Sequence, residues 1–396
     1  MKFAKRTETL PPYLFAEIDK KKQAAIEKGV DIINMGIGDP DKATFSHIVD
    51  EMVLAVKDPS THNYPPYQGT KDFRVAAVKW FEKRFGEKFD PDKECVSTIG
   101  SKEAIHNLIL AVIDQGDICL TPDPAYPVYK TSTLLCGGTP HIMPLYEKNN
   151  WLPDLSKIPT DVAQKANMMI ICYPNNPTGA IAPIEFYDEV VAYCKKYDII
   201  LMSDNAYSEV GFDGYEPPSI FNAKGARDIA IELHSLSKSY NMTGWRVGFA
   251  IGNEKIVKAL GTVKTNIDSG VFKAVQRAAI AAFNTPKEVL QANVDLYRER
   301  RDAALEGLRS LGCDIKPSKG TLYVWAPIPS SFKSSGEFAS TLLDKCGIVV
   351  PPGNGYGACG EGYFRIALSI DKSRIKEAFE RMKKEGILYS KATVSA

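Results

Sequence analysis

Between residues 95 and 250 short apolar runs alternate with stretches of helical period. DICL (117–120), MMIICY (168–173), IILMS (199–203), IAIELH (229–234) and VGFAI (247–251) have the length of strands. Between them Ile105, Leu108, Ile109 and Val112, and again Tyr187, Val190, Val191 and Cys194, recur at i, i+3, i+4, i+7, the spacing of one helix face. Strands apolar at nearly every position need cover on both sides. The pattern therefore predicts an α/β fold with a mostly parallel central sheet flanked by helices.

The texture changes at Thr285. TPKE offers a capping box with Pro286 at the first helical position, and Leu290, Val294, Tyr297, Leu305 and Leu308 repeat on one face until Gly312. A long helix over 286–311 is expected to lead into a smaller α+β domain that holds GTLYVWAP, the EFASTLLDKCG helix, the strand YFRIALS and the terminal KEAFERMKKEG helix. A helix around Leu14–Lys28 is expected to join it, with the DKKK run at Asp19–Lys22 as its solvated face. The expected division is an N-terminal segment (1–40) belonging to the small domain, a large domain (41–285) and the rest of the small domain (286–396).

Length and charge narrow the function. At roughly 150 residues per domain, 396 residues suit two domains. The net charge of +1 leaves no global field for nucleic acid or anionic membrane. No apolar run approaches the roughly 20 residues of a membrane span, and MKFAKRTETLPP lacks the apolar core of a leader, so a cytoplasmic protein is expected. The eight cysteines form no CxxC pair and no metal-ligand spacing, which argues against a metal site and for a reducing compartment. Gly355, Gly357 and Gly360 spell GxGxxG, but a dinucleotide loop must end at a helix N-terminus, and here a strand follows.

The chemistry concentrates elsewhere. In SLSKSYNMTGWRVG, Lys238 sits among small hydroxyl residues just past a strand, with Arg246 eight positions on. Asp204 follows the strand IILMS, with Tyr207 three residues later. Asn176 lies in NNPTG after MMIICY, and Tyr126 in DPAYPVY. Gly100, Ser101 and Lys102 open a helix, which turns free amides and the positive dipole end toward an anion. Taken singly, each has an ordinary explanation: a surface lysine or arginine, a strand-end turn, a core tyrosine, a plain helix cap.

Jointly these motifs, in this order, resemble the pyridoxal-phosphate (PLP) aminotransferases of the aspartate aminotransferase superfamily, from about residue 13 to beyond 370. The resemblance implies a PLP fold type I large domain, a discontinuous small domain, and a homodimer with shared active sites. It implies Lys238 as cofactor anchor and proton shuttle and Asp204 as the partner of the pyridine nitrogen. Tyr207 and Asn176 would contact the phenolic oxygen and Tyr126 would stack on the ring. Ser101, Lys102, Ser235 and Arg246 would hold the phosphate, joined by Tyr64 from the neighbouring subunit, with Ser237 also among the cofactor-binding residues. Arg365 would grip the substrate α-carboxylate, with Asn176 and the loop of Gly38 closing over it.

Within that family PPYLFAEI, GIGDPD, IGSKEAI and NIDSGVFKAVQ look like segments of the LL-diaminopimelate aminotransferase group, which implies amino-acid and 2-oxo-acid substrates and a role in lysine synthesis. Tyr67 and Ser269 depart from the glutamate and asparagine of its plant-type members. Alanine, aspartate or aromatic aminotransferases remain alternatives. So do a PLP β-lyase, which would share every cofactor residue, and a ligand-sensing regulator, which would be expected to carry a DNA-binding domain before residue 13.

Overall fold

In the computed structural model, which describes residues 1–8, 10 and 14–389, seven strands form the central sheet. They are β1 (Cys95–Thr98), β2 (Ile118–Asp123), β3 (Thr139–Pro144), β4 (Ala166–Ile171), β5 (Ile200–Asp204), β6 (Ala230–Ser235) and β7 (Gly248–Gly252). Their order is β1-β7-β6-β5-β4-β2-β3. Only β7 runs against its neighbours β1 and β6. The other pairs are parallel.

All five apolar runs became strands. The two edge strands, CVST and TPHIMP, were not legible, because neither shows an apolar run. Pro140 and Pro144 are tolerated in β3 because it is an edge. The central strands bury both faces by simple alternation. Met168 and Ile170 turn toward Ile105, Leu108 and Ile109 of helix α1 (Ser101–Val112), whereas Met169 and Ile171 turn toward Val190, Val191 and Cys194 of helix α2 (Ile184–Tyr197).

The long helix is α3 (Lys287–Ser310), but its expected capping box does not form. Pro286 is the N-cap, at φ −57° and ψ 142°, not the first helical residue. The Thr285 hydroxyl instead closes the preceding turn by donating to the Ala282 carbonyl (2.7 Å), and it also meets His47 Nε2 at 3.0 Å. A side chain spent on the turn behind it cannot cap the helix ahead.

Beyond α3, strand β8 (Tyr323–Pro327) pairs antiparallel with β9 (Tyr363–Ala367). Helices Ser335–Cys346 and Lys372–Lys384 complete a second core with Tyr297, Leu305, Val324, Phe338, Ile366 and Phe379. Ile33 and Met35 lie in that core, and Ile33–Asn34 pairs in parallel with Ile348–Val349. Helix Leu14–Glu27 reaches the same layer through Lys21 Nζ, which donates to Ser340 Oγ at 3.2 Å. Pro11, Pro12 and Tyr13 of the PPYLFAEI segment lie outside the described residues.

Gly355 and Gly360 lie in two 3₁₀ turns (Gly353–Tyr356 and Ala358–Gly360) that lead into β9, and Gly357 stands between them. The amides of Ala358 and Cys359 donate to the Asp123 carboxylate at 3.1 and 3.0 Å. At Gly357, with φ +132°, a Cβ would fall 2.2 Å from that carboxylate. The loop is therefore folded around an anion of its own chain. Among the described residues no helix is long and apolar enough to cross a membrane.

Candidate active site

The carboxyl ends of β2, β4, β5 and β6 open on one edge of the sheet, where open α/β sheets carry their sites. Asp204 is the last residue of β5 and is 4% exposed. Its Oδ2 accepts the Tyr129 hydroxyl at 2.6 Å, while Oδ1 is buried with no partner among the described residues. Burial pushes its carboxyl up to about 6, against the opposing pull of the Tyr129 hydroxyl and His234. After β6, Ser235 caps the short helix Leu236–Ser239, its Oγ accepting from the amide of buried Ser237 at 3.2 Å. That turn holds half-buried Lys238 so that its Nζ donates to the carbonyl of Gly38.

After β4, Asn175 builds the NNPTG turn. Its Oδ1 accepts from the amide (3.1 Å) and hydroxyl (2.7 Å) of Thr178, and its Nδ2 donates to the Cys172 carbonyl at 3.1 Å. Asn176 is thus left to aim elsewhere: its Oδ1 accepts from Arg365 Nη1 at 2.9 Å. Arg365 Nη2 donates to the Gly36 carbonyl at 2.7 Å, and its Nε has no partner among the described residues. The guanidinium lies 4.0 Å from the ring centre of Tyr323 and 5.0 Å from that of Tyr356. Burial alone would lower its basicity, but Tyr356, Tyr323, Tyr207 and Tyr126 outweigh it and hold the group firmly cationic. Two of its five N–H bonds are used, so a carboxylate fork remains available.

The segment 36–38 forms a strap over these groups. Gly36 and Gly38 offer their carbonyls to Arg365 and Lys238, and the Ile37 carbonyl accepts from Ser369 Oγ at 2.6 Å. At Gly38 a Cβ would fall 2.1 Å from the Tyr323 hydroxyl, so only glycine lets the strap pass.

Across the site, α1 opens on Gly100, at φ +71°, which supplies no side-chain cap for the first amides. Arg246, itself left-handed at φ +54°, lies over that end, donating to the Ile99 carbonyl at 3.2 Å and the Thr243 carbonyl at 3.0 Å. A Cβ on Gly100 would meet Arg246 Nη2 at 2.5 Å. Ser101 and Lys102 stand on the first turn of α1, the latter exposed. Tyr126 stands edge-on to Tyr129 with ring centres 6.0 Å apart.

Tyr207 and Tyr323 share a hydrogen bond at 3.0 Å. Burial pushes Tyr207 well above the ordinary range. For Tyr323 burial acts the same way, but Arg365, Lys238 and the Tyr207 hydroxyl outweigh it and hold the hydroxyl below 10. Tyr64 does not join the cluster within one chain: it is 83% exposed. Tyr129, His234, Tyr323 and Tyr356 were missed in the sequence. Tyr323 was read only as a strand residue, although it lies diagonal to Arg365 across β8 and β9, since Arg365 pairs with Trp325 and Ala367 with Tyr323.

Residues 30–382 match the family model for aminotransferase class I and II. An LL-diaminopimelate aminotransferase 2 of Trichormus variabilis is 59% identical over 391 residues, 98% of this chain and all of its own. The LL-diaminopimelate aminotransferase of Gloeobacter violaceus is 60% identical over 390 residues, again 98% of this chain and all of its own. Among solved structures, substrate-bound BacF from Bacillus subtilis superposes with a TM-score of 0.96 at 34% identity, covering 98% of this chain and 99% of that one.

Proposed function

The chain belongs to the class I and II aminotransferase family, and on that premise we propose that it transfers the amino group of LL-diaminopimelate to 2-oxoglutarate with PLP held at Lys238. The observation that carries the cofactor reading is Asp204 Oδ1, buried and without a partner among the described residues, at the same edge of the sheet as Lys238 and the open end of α1. A protonated pyridine nitrogen is the donor such an oxygen lacks. The amides at Gly100–Lys102, with Ser235, Ser237 and Arg246, suit a phosphate. Tyr126 offers a flat face for the ring.

When bound, PLP supplies an electron sink for the charge left on Cα after its proton departs. The protein does the rest. Asp204 would keep the ring nitrogen protonated. Arg365, steadied by Asn176 and the Gly36 carbonyl, fixes the substrate carboxylate. Lys238 would anchor the cofactor, and its amine, freed when substrate takes its place, would carry the proton from Cα to the cofactor carbon on the far side of the nitrogen. Tyr207 and Asn176 would contact the cofactor's phenolic oxygen.

A homodimer accounts for what a single chain leaves exposed. Val49, Val53, Leu54 and Val56 lie bare on helix Ser46–Lys57, as do Ile267 and Phe272, beside Tyr64 and Tyr67. The loops of Tyr67 and Ser269 touch, since a Cβ on Gly270 would meet Pro65 at 3.1 Å. In our reading this surface docks on a second copy, lends Tyr64 to the neighbour's phosphate site, and reads the distal end of the substrate. We divide the chain at 40 and 285 into the two domains expected from the sequence, a division supported by the small-layer core, which joins Ile33 and Met35 to residues from Tyr297 onward and takes in only Tyr207, Val210 and Phe212 from between. All eight cysteines are unpaired, which favours the cytoplasm.

The test of the substrate is a specificity panel on purified, PLP-loaded protein with 2-oxoglutarate as acceptor. LL-Diaminopimelate should be used far better than the meso isomer, aspartate or alanine, because leaving a distal ammonium and carboxylate unmatched in a closed site is costly. Efficient turnover of aspartate or alanine with LL-diaminopimelate inert would overturn the assignment.

A further inference from the structure

Tyr323 touches more of the site than any function so far requires. Its ring lies 4.0 Å beneath the Arg365 guanidinium, its hydroxyl lies 3.0 Å from that of Tyr207, and it is 3% exposed. The strap glycine is shaped to it, since a side chain at Gly38 would strike both its hydroxyl and its ring. Lys238, whose Nζ bonds the carbonyl of that same glycine, lies close enough to bear on its ionisation. One tyrosine thus borders the proposed cofactor anchor, the carboxylate fork and the phenolic-oxygen contact.

Two facing hydroxyls share one hydrogen bond, and either can donate it. If Tyr207 donates to Tyr323, its own proton is spent and it can only accept from the cofactor side. If Tyr323 donates, the proton of Tyr207 is released to point at the cofactor, and the chained bonds strengthen one another. In the structure the bond runs from Tyr207 to Tyr323, but the Arg365 guanidinium, 4.0 Å from the Tyr323 ring, makes that hydroxyl the more acidic and so the better donor once Tyr207 has the phenolic oxygen to donate to.

We propose that Tyr323 is a positioning residue for the transamination: its hydroxyl donates to Tyr207 so that Tyr207 donates to the phenolic oxygen of PLP, and its ring holds Arg365 flat for the substrate carboxylate. The inference rests on the PLP reading of the site. A donor aimed at the phenolic oxygen draws charge from it and lets the lysine-bound chromophore lose its proton at lower pH. Tyr323 therefore tunes that pH through Tyr207 without touching the cofactor.

The test is a titration of the visible absorbance of the PLP-loaded protein. Tyr323→Phe should move the midpoint up by about half a pH unit, the worth of one ordinary hydrogen bond. KM for the amino donor should stay within about twofold, because the ring remains. In a Tyr207→Phe background the same change should leave the midpoint where it was. Tyr323→Leu, which also removes the ring, should raise KM by roughly tenfold. A midpoint unmoved by Tyr323→Phe, or moved equally in both backgrounds, overturns the inference. Failure of the PLP reading looks different: the wild-type protein would then show no PLP-dependent band sensitive to Lys238→Ala.

Discussion

Arg365 Nη1 donates to Asn176 Oδ1 at 2.9 Å, across 189 residues of chain. The bond ties strand β9 of the small layer to the NNPTG turn at the carboxyl edge of the large sheet, so the proposed carboxylate fork sits on the seam between the two cores. Both partners are buried, Arg365 at 3% and Asn176 at 8% exposure. Lysine can reach such a seam, but its ammonium lacks the planar fork that holds Asn176 and the Gly36 carbonyl and still offers paired N–H donors to a carboxylate. Arg365→Lys should therefore lower kcat/KM by about 100-fold for every amino donor alike, mainly through KM. Steady-state kinetics across the substrate panel checks this, and a loss confined to one donor would contradict a role at the shared end.

Asp204 links function to pH. Its carboxyl is raised from 3.8 to about 6 in the folded protein, chiefly by burial. Between those values the folded state holds more protons than the unfolded one, so in cofactor-free protein this group's contribution to stability falls as pH rises through the window. Asp204→Asn should remove that fall and leave the cofactor-free protein at pH 7 as stable as wild type or more so, by on the order of 1 kcal/mol. Turnover should nonetheless drop by about 100-fold or more, because a neutral amide does not hold the ring nitrogen protonated. Denaturant melts at several pH values, run beside kinetics, separate the two effects.

Tyr129→Phe removes the one hydroxyl donor to Asp204 Oδ2. The carboxyl should then move further up, and the acid limb of the pH–rate profile should shift upward with it. A profile identical to wild type would mean that the bond does not govern the ionisation of Asp204.

Most of the frame was legible because its signal is local. Five runs with strand length and two faces of helical period define the sheet and its cover, and the site residues of Asp204, Asn176 and Lys238 stand just past three of those strands. What was not legible depends on neighbours distant in sequence. Thr285 has every mark of a cap, yet its hydroxyl is taken by Ala282 and His47. Tyr129 and Tyr323 look like core tyrosines until Asp204 and Arg365 are brought to them. Tyr64 matched a motif but stands exposed on the single chain, and nothing in its local sequence marks what would cover it.

The strap gives a steric prediction. A Cβ at Gly38 would fall 2.1 Å from the hydroxyl and 2.5 Å from a ring carbon of Tyr323. Gly38→Ala must displace the strap or the ring, so it should cut kcat/KM by roughly 10-fold or more while leaving the melting temperature nearly unchanged, since the strap is at the rim of both cores.

Shared sites predict complementation. Tyr64→Phe and Lys238→Ala should each impair the protein, yet mixed dimers should recover activity, because one of the two sites then carries neither change. Subunit exchange with differently tagged chains tests this. Verified hybrids without recovery would mean that each chain completes its own site.

The central claim is that Lys238, placed by the Ser235-capped turn at the end of β6, is the residue that holds PLP. Borohydride reduction of the PLP-loaded protein followed by peptide mapping measures it directly. The label should appear on Lys238 alone and vanish in Lys238→Ala. A label on Lys102 or Lys264, or none in protein that turns over substrate, would contradict the account.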